Sequence, residues 1–356
     1  MAYAAISKPS LHINPVLYTS NGTVIGSGGL SVTGFGFQPD WLGIKLRDQD
    51  ESWGTYDSVR GVYEGLRFNG NEGESTESEG VTAFDADGFT CGNQSRINPS
   101  GSEACVAYGW KAGTTTGITT NGSTTITPLS YSFNPTSNFS IIKYTGNGLA
   151  GAGIPHGLGS KAAFFMCKKL DTSDSWQIYH EGLGSATKYL ILNNNDPEGS
   201  NVNRWNSTEP DTVNCYLGTE GAVNLDEGTF VAYCFSEVKG YSKFGSYVGN
   251  SSTDGPMIFT GFKPAWVLIK ATSGGEGWTL FDNKRLGYNV DNNYLTPNTG
   301  VAEATSDDID FLSNGFKLRT LGSHVNASGI TSYVYSAFAE EPLVANVGSG
   351  IPATAR

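Results

Sequence analysis

The chain has 356 residues, a formal net charge of −12, and a composition that is 38% hydrophobic, 12% aromatic and 16% charged. The acidic balance argues against nucleic acid as a partner, because phosphate binding requires a basic surface. No apolar run approaches the roughly 20 residues of a membrane-spanning helix. The 47 glycines and the many aromatic residues are typical of short antiparallel strands joined by tight turns. We therefore predict an all-β protein that neither binds nucleic acid nor inserts into a membrane.

The chain opens with a strand that ends in a Gly/Asn turn at residues 18–22, followed by an apolar run at 36–45 that ends in lysine. Trp53 stands eight positions after that lysine, and Asp57 and Arg60 follow. Such a group has two interpretations. The tryptophan could stack on a sugar whose hydroxyls bind the charged pair, or it could fill a core while the pair closes a turn.

The same landmarks occur twice more in the same order. The second copy has Trp176 and then His180 in place of the aspartate, and the third has Trp278, Asp282 and Arg285. Each copy closes with a turn that opens with Asn and closes with Gly, and then with an apolar strand. This recurrence predicts three tandem repeats of one antiparallel, jelly-roll or lectin-like β-sandwich module. A feature kept in the repeats more often maintains the fold than a receptor site, so we favour the structural interpretation of the tryptophan group.

The landmarks also set the predicted boundaries. The three modules cover residues 1–112, 139–240 and 241–342, and residues 343–356 form a tail. Residues 113–138 are rich in Thr, Ser and Gly, which leaves two alternatives: a flexible linker, or an extended strand lying on a neighbouring module. The tail is expected to be a loose end or an assembly arm.

The cysteines are five in number and form no Cys-x-x-Cys pair. We expect free buried thiols, rather than a disulfide framework or a zinc site. Free thiols and an N-terminus that lacks a secretory signal pattern both agree with synthesis in a reducing cytoplasm. The five residues are Cys91, Cys105, Cys167, Cys215 and Cys234.

Candidate catalytic carboxylates are few. Glycoside hydrolysis needs two carboxylates flanking a groove, and the possible groups are Asp85 with Asp87, and Asp307 with Asp308 and Asp310. The first pair lies in an Asp-x-Asp-Gly sequence, where aspartate favours a turn. There is no Gly-x-Ser-x-Gly nucleophile motif, and the four histidines are scattered. We predict that the protein is not an enzyme, and that it has no catalytic, cofactor-binding or metal-binding residues.

Receptor contacts are expected on loops that vary between the repeats, because loops carry binding residues on many scaffolds. Two loops are the candidates. One contains Asn194, Asn195 and Asp196, and the other contains Ser273 and Glu276.

Several segments resemble a repeated β-sandwich domain that is common in tail-fibre-like virion proteins of marine and freshwater phages, including cyanophages. The clearest are residues 144–148, 154–159, 240–247, 261–270 and 311–319, and together the similar segments cover nearly the whole chain. The resemblance implies a structural and adhesive bacteriophage protein, a tail-fibre or tail-tip component on the particle exterior. Its implied partners are other virion proteins, further copies of itself (a trimer by analogy) and a host surface glycan or protein. The resemblance carries no catalytic residues.

Two alternatives remain beside this prediction. The first is a capsid-decorating, head-fibre or adaptor protein that binds only other virion proteins. The second is a depolymerase of host polysaccharide, which would need a carboxylate pair at glycosidase separation.

Overall fold

The computed structural model describes residues 4–285, 289, 292–306, 308–330 and 332–343. Its strands pair antiparallel throughout the described part of the chain, which confirms the predicted all-β class. Asp307 and the predicted tail beyond residue 343 lie outside the described residues. Three stretches of the chain, here called the first, middle and third segments (residues 4–112, 113–240 and 241–343), each form a larger and a smaller sheet.

The first segment has a larger sheet in the order β1-β9-β3-β4, a smaller sheet in the order β2-β8-β7, and the short pair β5-β6. Short 3-10 helices cover Pro9–Leu11 and Ile25–Ser27. The strands are β1 (Ile13–Thr19), β2 (Leu30–Thr33), β3 (Trp41–Leu46), β4 (Gly54–Asp57), β5 (Glu64–Gly65), β6 (Ser75–Thr76), β7 (Val81–Asp85), β8 (Gly88–Cys91) and β9 (Ala104–Trp110).

The middle segment has the sheet β10-β11-β18-β13-β14-β15-β16 and the pair β12-β17. It also contains the 3-10 helix Glu181–Leu183 and the helix α1 (Gly221–Asn224). The strands are β10 (Ser130–Asn134), β11 (Phe139–Thr145), β12 (Ala152–Pro155), β13 (Phe164–Lys169), β14 (Gln177–His180), β15 (Lys188–Ile191), β16 (Gly199–Ser200), β17 (Asn214–Leu217) and β18 (Thr229–Phe235).

The third segment has the sheets β19-β27-β21-β22-β23-β24 and β20-β26-β25, with the helix α2 (Ser323–Asn326). Counted from β1, β11 and β19, the order first strand, last strand, third strand, fourth strand therefore recurs in β1-β9-β3-β4, β11-β18-β13-β14 and β19-β27-β21-β22. The strands are β19 (Ser242–Tyr247), β20 (Met257–Phe259), β21 (Phe262–Ala271), β22 (Trp278–Asp282), β23 (Asn292–Leu295), β24 (Ala304–Ser306), β25 (Ile309–Leu312), β26 (Gly315–Leu318) and β27 (Tyr333–Pro342).

The central strands of the larger sheets are buried on both faces. In β18, Tyr233 and Phe235 belong to a core that all three segments share. The alternate residues Phe230 and Cys234 belong to the middle segment's own core. Successive side chains of a strand point to opposite faces, so a strand buried on both sides needs a continuous apolar run, which is what these sequences contain.

The shared core is where the three larger sheets meet. Its aromatic side chains pack closely: the ring centroid of Trp41 lies 4.5 Å from the ring centroid of Trp110 and 4.6 Å from that of Tyr233. At its centre is an apolar cavity of about 50 Å³. Each segment also has a core of its own between its two sheets. The main aromatic residues of the shared core are Trp41, Trp53, Trp110, Phe164, Trp176, Tyr233, Phe235, Trp266, Trp278 and Phe338.

The stretch 113–138, for which a flexible linker and an extended strand were both open, is extended where it contacts residues 139–240 of the same segment. Its strand β10 pairs with β11. The backbone N–H groups of Thr125 and Ile126 both donate to Gly153 O at 3.1 Å. A Cβ on Gly153 would lie 2.2 Å from Ser123 O, so this close approach requires glycine.

The repeated asparagine of each closing turn ties that turn to the beginning of its segment. Each of these side chains is fully buried, and each Oδ1 accepts a backbone N–H from the Gly/Asn turn after the first strand. The three bonds are Asn21 N to Asn98 (2.8 Å), Asn147 N to Asn224 (2.9 Å) and Asn250 N to Asn326 (2.9 Å). Two landmarks that recur in the sequence are therefore partners in space.

Replacing Asn224 with alanine should lower the free energy of unfolding by about 1–3 kcal/mol, because buried backbone groups of the turn lose their partner. Urea unfolding checks this, with Asn93→Ala as the control, since Asn93 is exposed and should change stability by no more than about 0.5 kcal/mol. Equal losses in the two variants would contradict the role given to Asn224.

Candidate functional site

The three repeated tryptophans lie at the boundaries between segments, with exposures of 1% or less. Each donates its indole N–H to a backbone carbonyl of a different segment. The bonds run from Trp53 to Thr296, from Trp176 to Arg67 and from Trp278 to Ile191, at 3.3, 2.8 and 2.9 Å. Side chains this deeply buried cannot contact a receptor, so their position supports the structural interpretation of this group.

Asp57, which follows Trp53 in the repeat, is also buried. Asp57 and Arg60 form an ion pair whose two side chains are fully buried. The turn that follows β4 is held by Asp57 Oδ1, which accepts the backbone N–H groups of Val59 (3.0 Å) and Arg60 (2.8 Å). Tyr233 of the middle segment donates its hydroxyl to Asp57 Oδ2 at 2.6 Å. The buried pair therefore joins the first segment to the middle one.

The third segment makes the same kind of contact with the first segment. Arg285 Nε binds Asp282 Oδ2 at 2.5 Å with both side chains fully buried, and Tyr108 donates its hydroxyl to the same oxygen at 2.6 Å. Burial alone would raise the pKa of Asp282, but Arg285 and Tyr108 hold that pKa below its ordinary value. The carboxylate stays ionised inside the protein because its charge is compensated there.

The middle segment joins the third segment by a different polar contact. His180 occupies the aspartate position, and its Nε2 lies 3.1 Å from Tyr335 O, while its Nδ1 accepts the backbone N–H of Gly182 at 3.0 Å. In the other two junctions a tyrosine hydroxyl reaches the carboxylate, but the corresponding position of β27 is Ser336. With no tyrosine opposite, a neutral imidazole bound to a carbonyl replaces the ion pair. Burial lowers the pKa of His180 to about 4, opposed in part by its bond to Tyr335.

These contacts follow one another around the molecule. The first segment binds the middle one through Asp57, the middle binds the third through His180, and the third binds the first through Asp282. The three segments therefore close a ring around the shared core. The exposed candidate residues lie on loops that meet at one of the three junctions of this ring.

The lysine that ends each apolar run is buried beside the loops at a junction. Lys168 Nζ donates to Lys169 O (2.8 Å) and to Asn71 O of the first segment (3.3 Å). Lys270 Nζ donates to Glu276 O (2.6 Å) and to Asn195 O of the middle segment (3.4 Å). Burial lowers the pKa of each of the three lysines, Lys45, Lys168 and Lys270, to about 8.

The two loops chosen as receptor candidates lie together at the junction of the middle and third segments. Asn195 Nδ2 donates to Gly275 O at 2.9 Å, although 80 residues separate them. Asn195 and Asp196 are exposed, and Asn194, Ser273 and Glu276 are partly exposed. We call this pair of loops, residues 193–198 and 272–277, the middle–third loop pair. The sequence suggested each loop separately but gave no indication that they are neighbours.

Corresponding loops meet at the other two junctions, and sequence reasoning did not propose them. Residues 69–74 meet 170–175, where Glu74 N donates to Leu170 O at 2.8 Å. Residues 296–303 meet 47–51, where Glu303 N donates to Arg47 O at 2.7 Å and its carboxylate accepts two bonds from that guanidinium, at 2.8 and 3.0 Å. One loop of each pair lies between the repeated lysine and tryptophan, and that constant spacing was the signal that could have identified it.

The carboxylates considered for catalysis have other roles. Asp87 Oδ1 accepts Gly36 N at 2.6 Å, and Asp85 Oδ2 accepts the hydroxyl of Thr90 at 2.8 Å. Asp308 pairs with His324 at 2.9 Å, and Asp310 pairs with Arg319. Within the described ranges, no three His, Cys, Asp or Glu residues are grouped in a way that could hold a metal ion.

No helix among the residues that the structure covers has the length and apolar character needed to cross a bilayer.

The buried carboxylates predict a difference between two tyrosine variants. Tyr233→Phe removes a hydrogen bond to the Asp57 carboxylate, which is paired with Arg60, and should cost about 1.5–3 kcal/mol of unfolding free energy. Tyr144→Phe is the matched control, because that hydroxyl donates to the neutral carbonyl of Val223 at 2.7 Å and should cost about 1 kcal/mol. Urea unfolding of both variants measures the difference, and a larger loss for Tyr144→Phe would contradict it.

His180 predicts a loss of stability in mild acid. Its folded-state pKa of about 4 lies below its ordinary 6.5, so the unfolded chain binds the proton first and stability falls as the pH drops from 6.5 toward 4. His180→Gln should lower the number of protons taken up on unfolding below pH 6.5 by close to one, so that stability depends less on pH in that range. Above pH 7 the variant and the unchanged protein should show the same pH dependence. Urea unfolding between pH 8 and 4.5 tests the effect, and identical slopes for the two proteins would refute it.

Comparison with known proteins gives a family but no function. No curated protein and no solved structure matches the chain. One family model, described as "Domain of unknown function (DUF7483)", matches residues 8–342. That range covers nearly all of the three segments. The chain belongs to the DUF7483 family.

Proposed function

We propose that the protein is a structural and adhesive virion component of a bacteriophage, a tail-fibre or tail-tip protein that binds the host cell surface without enzymatic activity. One observation carries the proposal: exposed amide and carboxylate side chains lie on the loop pairs at all three junctions of one closed ring. Three weak contacts on a rigid body combine into a much tighter attachment.

The chain would then consist of three copies of one jelly-roll or lectin-like sandwich module. The recurrent strand order and the recurrent junction contacts support this. The ring supplies a threefold arrangement within a single chain. Further homo-oligomerisation, expected by analogy with phage fibres, would use surfaces outside the three junctions, because the junction side chains are already buried.

A second candidate is a decorating or adaptor protein that binds only other virion proteins. It is favoured by an apolar patch on β20, where Met257 is 40% exposed and Phe259 is 59% exposed. Phe259 and Leu343 line a groove beside that strand. Exposed apolar patches often mark protein contacts. Immunogold labelling of intact particles separates the candidates, since an adhesin labels the tail and a decorating protein labels the capsid.

The adhesive role predicts saturable binding of the purified protein to intact host bacteria, lost when lipopolysaccharide or capsule is stripped. A variant with Asn195, Asp196 and Glu276 changed to alanine should bind about tenfold more weakly or worse, since it removes exposed polar contacts from one loop pair. The matched control changes three exposed threonines of the stretch 113–138 to alanine and should bind as the unchanged protein does. These residues are Thr115, Thr116 and Thr119. Absence of binding by the unchanged protein would contradict the adhesive role.

A further inference from the structure

Two cysteine side chains of the middle segment are in contact across its sandwich. Cys215 lies on β17 of the smaller sheet, and Cys234 lies on β18 of the larger sheet. Their Sγ atoms are 3.9 Å apart, and both residues are fully buried. Both thiols are free in this structure. A disulfide has an S–S distance near 2.05 Å, so the two sulfur atoms must approach by only about 1.9 Å.

The strand that carries Cys215 is less supported than its counterparts in the other segments. β8 lies between β2 and β7, and β26 lies between β20 and β25. In the part of the middle segment that the structure describes, β17 pairs with β12 alone. Local opening occurs first where few strands hold a segment in place, so β17 opens and admits a reagent more readily than its counterparts β8 and β26.

We propose that Cys215 and Cys234 are a modification site, forming an intersheet disulfide when the protein meets a small-molecule disulfide such as oxidised glutathione. One protein thiolate attacks a sulfur of the reagent, which makes a mixed disulfide and releases one reduced glutathione. The second thiolate attacks the protein sulfur of that mixed disulfide and releases the other. Two electrons pass from the protein to the reagent, and the two thiol protons end on the two glutathione thiols.

The reaction requires opening of the strand, because a buried thiol is unreactive. Burial raises the pKa of Cys215 well above its ordinary value, and thiolate is the attacking form. Once formed, the bond joins β17 to β18, a strand in the interior of the seven-stranded sheet. A protein made in a reducing cytoplasm would acquire this cross-link only in an oxidising environment.

The test treats the whole native protein with oxidised glutathione at pH 8, in buffer and in mild urea, and then measures its intact mass after denaturation and alkylation. The expected product has lost two hydrogens, and peptide mapping links Cys215 to Cys234. Its thermal midpoint should rise by about 4 °C or more relative to the reduced protein.

Variants identify the pair. Cys215→Ser and Cys234→Ser should each abolish the loss of two hydrogens, whereas Cys167→Ser, in the same apolar cluster, should keep it. If the serine variants fold poorly, the peptide map of the unchanged protein decides alone. Five unreacted thiols in both buffer and mild urea, a stable glutathione adduct without closure, or a disulfide between other cysteines would each overturn the proposal.

Discussion

The burial of the larger sheets on both faces is the constraint on which the rest of the structure depends. Each segment has its own core, but its larger sheet presents a second row of aromatic residues that only the other two segments can cover. Burying one large apolar side chain contributes about 1.5–3 kcal/mol, so exposing six of them would cost on the order of 10 kcal/mol. That is comparable to the whole net stability of an ordinary domain. The segments are thus parts of one folding unit, whatever their repeated sequence suggests.

Polar contacts then fix how the segments meet. A buried ion pair such as Asp282–Arg285 gains little net stability over an apolar pair, because both charges must be desolvated. The buried charge does destabilise any arrangement in which the Asp282 carboxylate is not bonded to Tyr108. The ion pair therefore favours one arrangement of the three segments. At the junction of the middle and third segments, His180 bound to Tyr335 O performs the same selection without charge. The middle segment has His180 where the other two segments have an aspartate. The third segment, which it faces, has Ser336 where the other two have a tyrosine, so the two changes occur together at one junction.

The sequence predicted the fold class well and the candidate site only in part. Glycine-rich turns and apolar runs identify antiparallel strands because each is formed by residues that are adjacent in the sequence. The tryptophans were recognisable as buried, yet nothing local shows that Trp53 faces Thr296, because that contact is set by ring closure. The same reason explains why the loops of Asn195 and Glu276 were suggested separately but not as neighbours. The asparagines that open the closing turns were recognised as landmarks, while their bonds to the opening turns became evident only in three dimensions.

Differential scanning calorimetry of the intact protein tests the closed ring most directly. If the segments share one core, the protein should unfold in a single transition whose calorimetric and van't Hoff enthalpies agree. Two or three separate transitions, or a van't Hoff enthalpy near one third of the calorimetric value, would show that the segments unfold independently and would contradict the account.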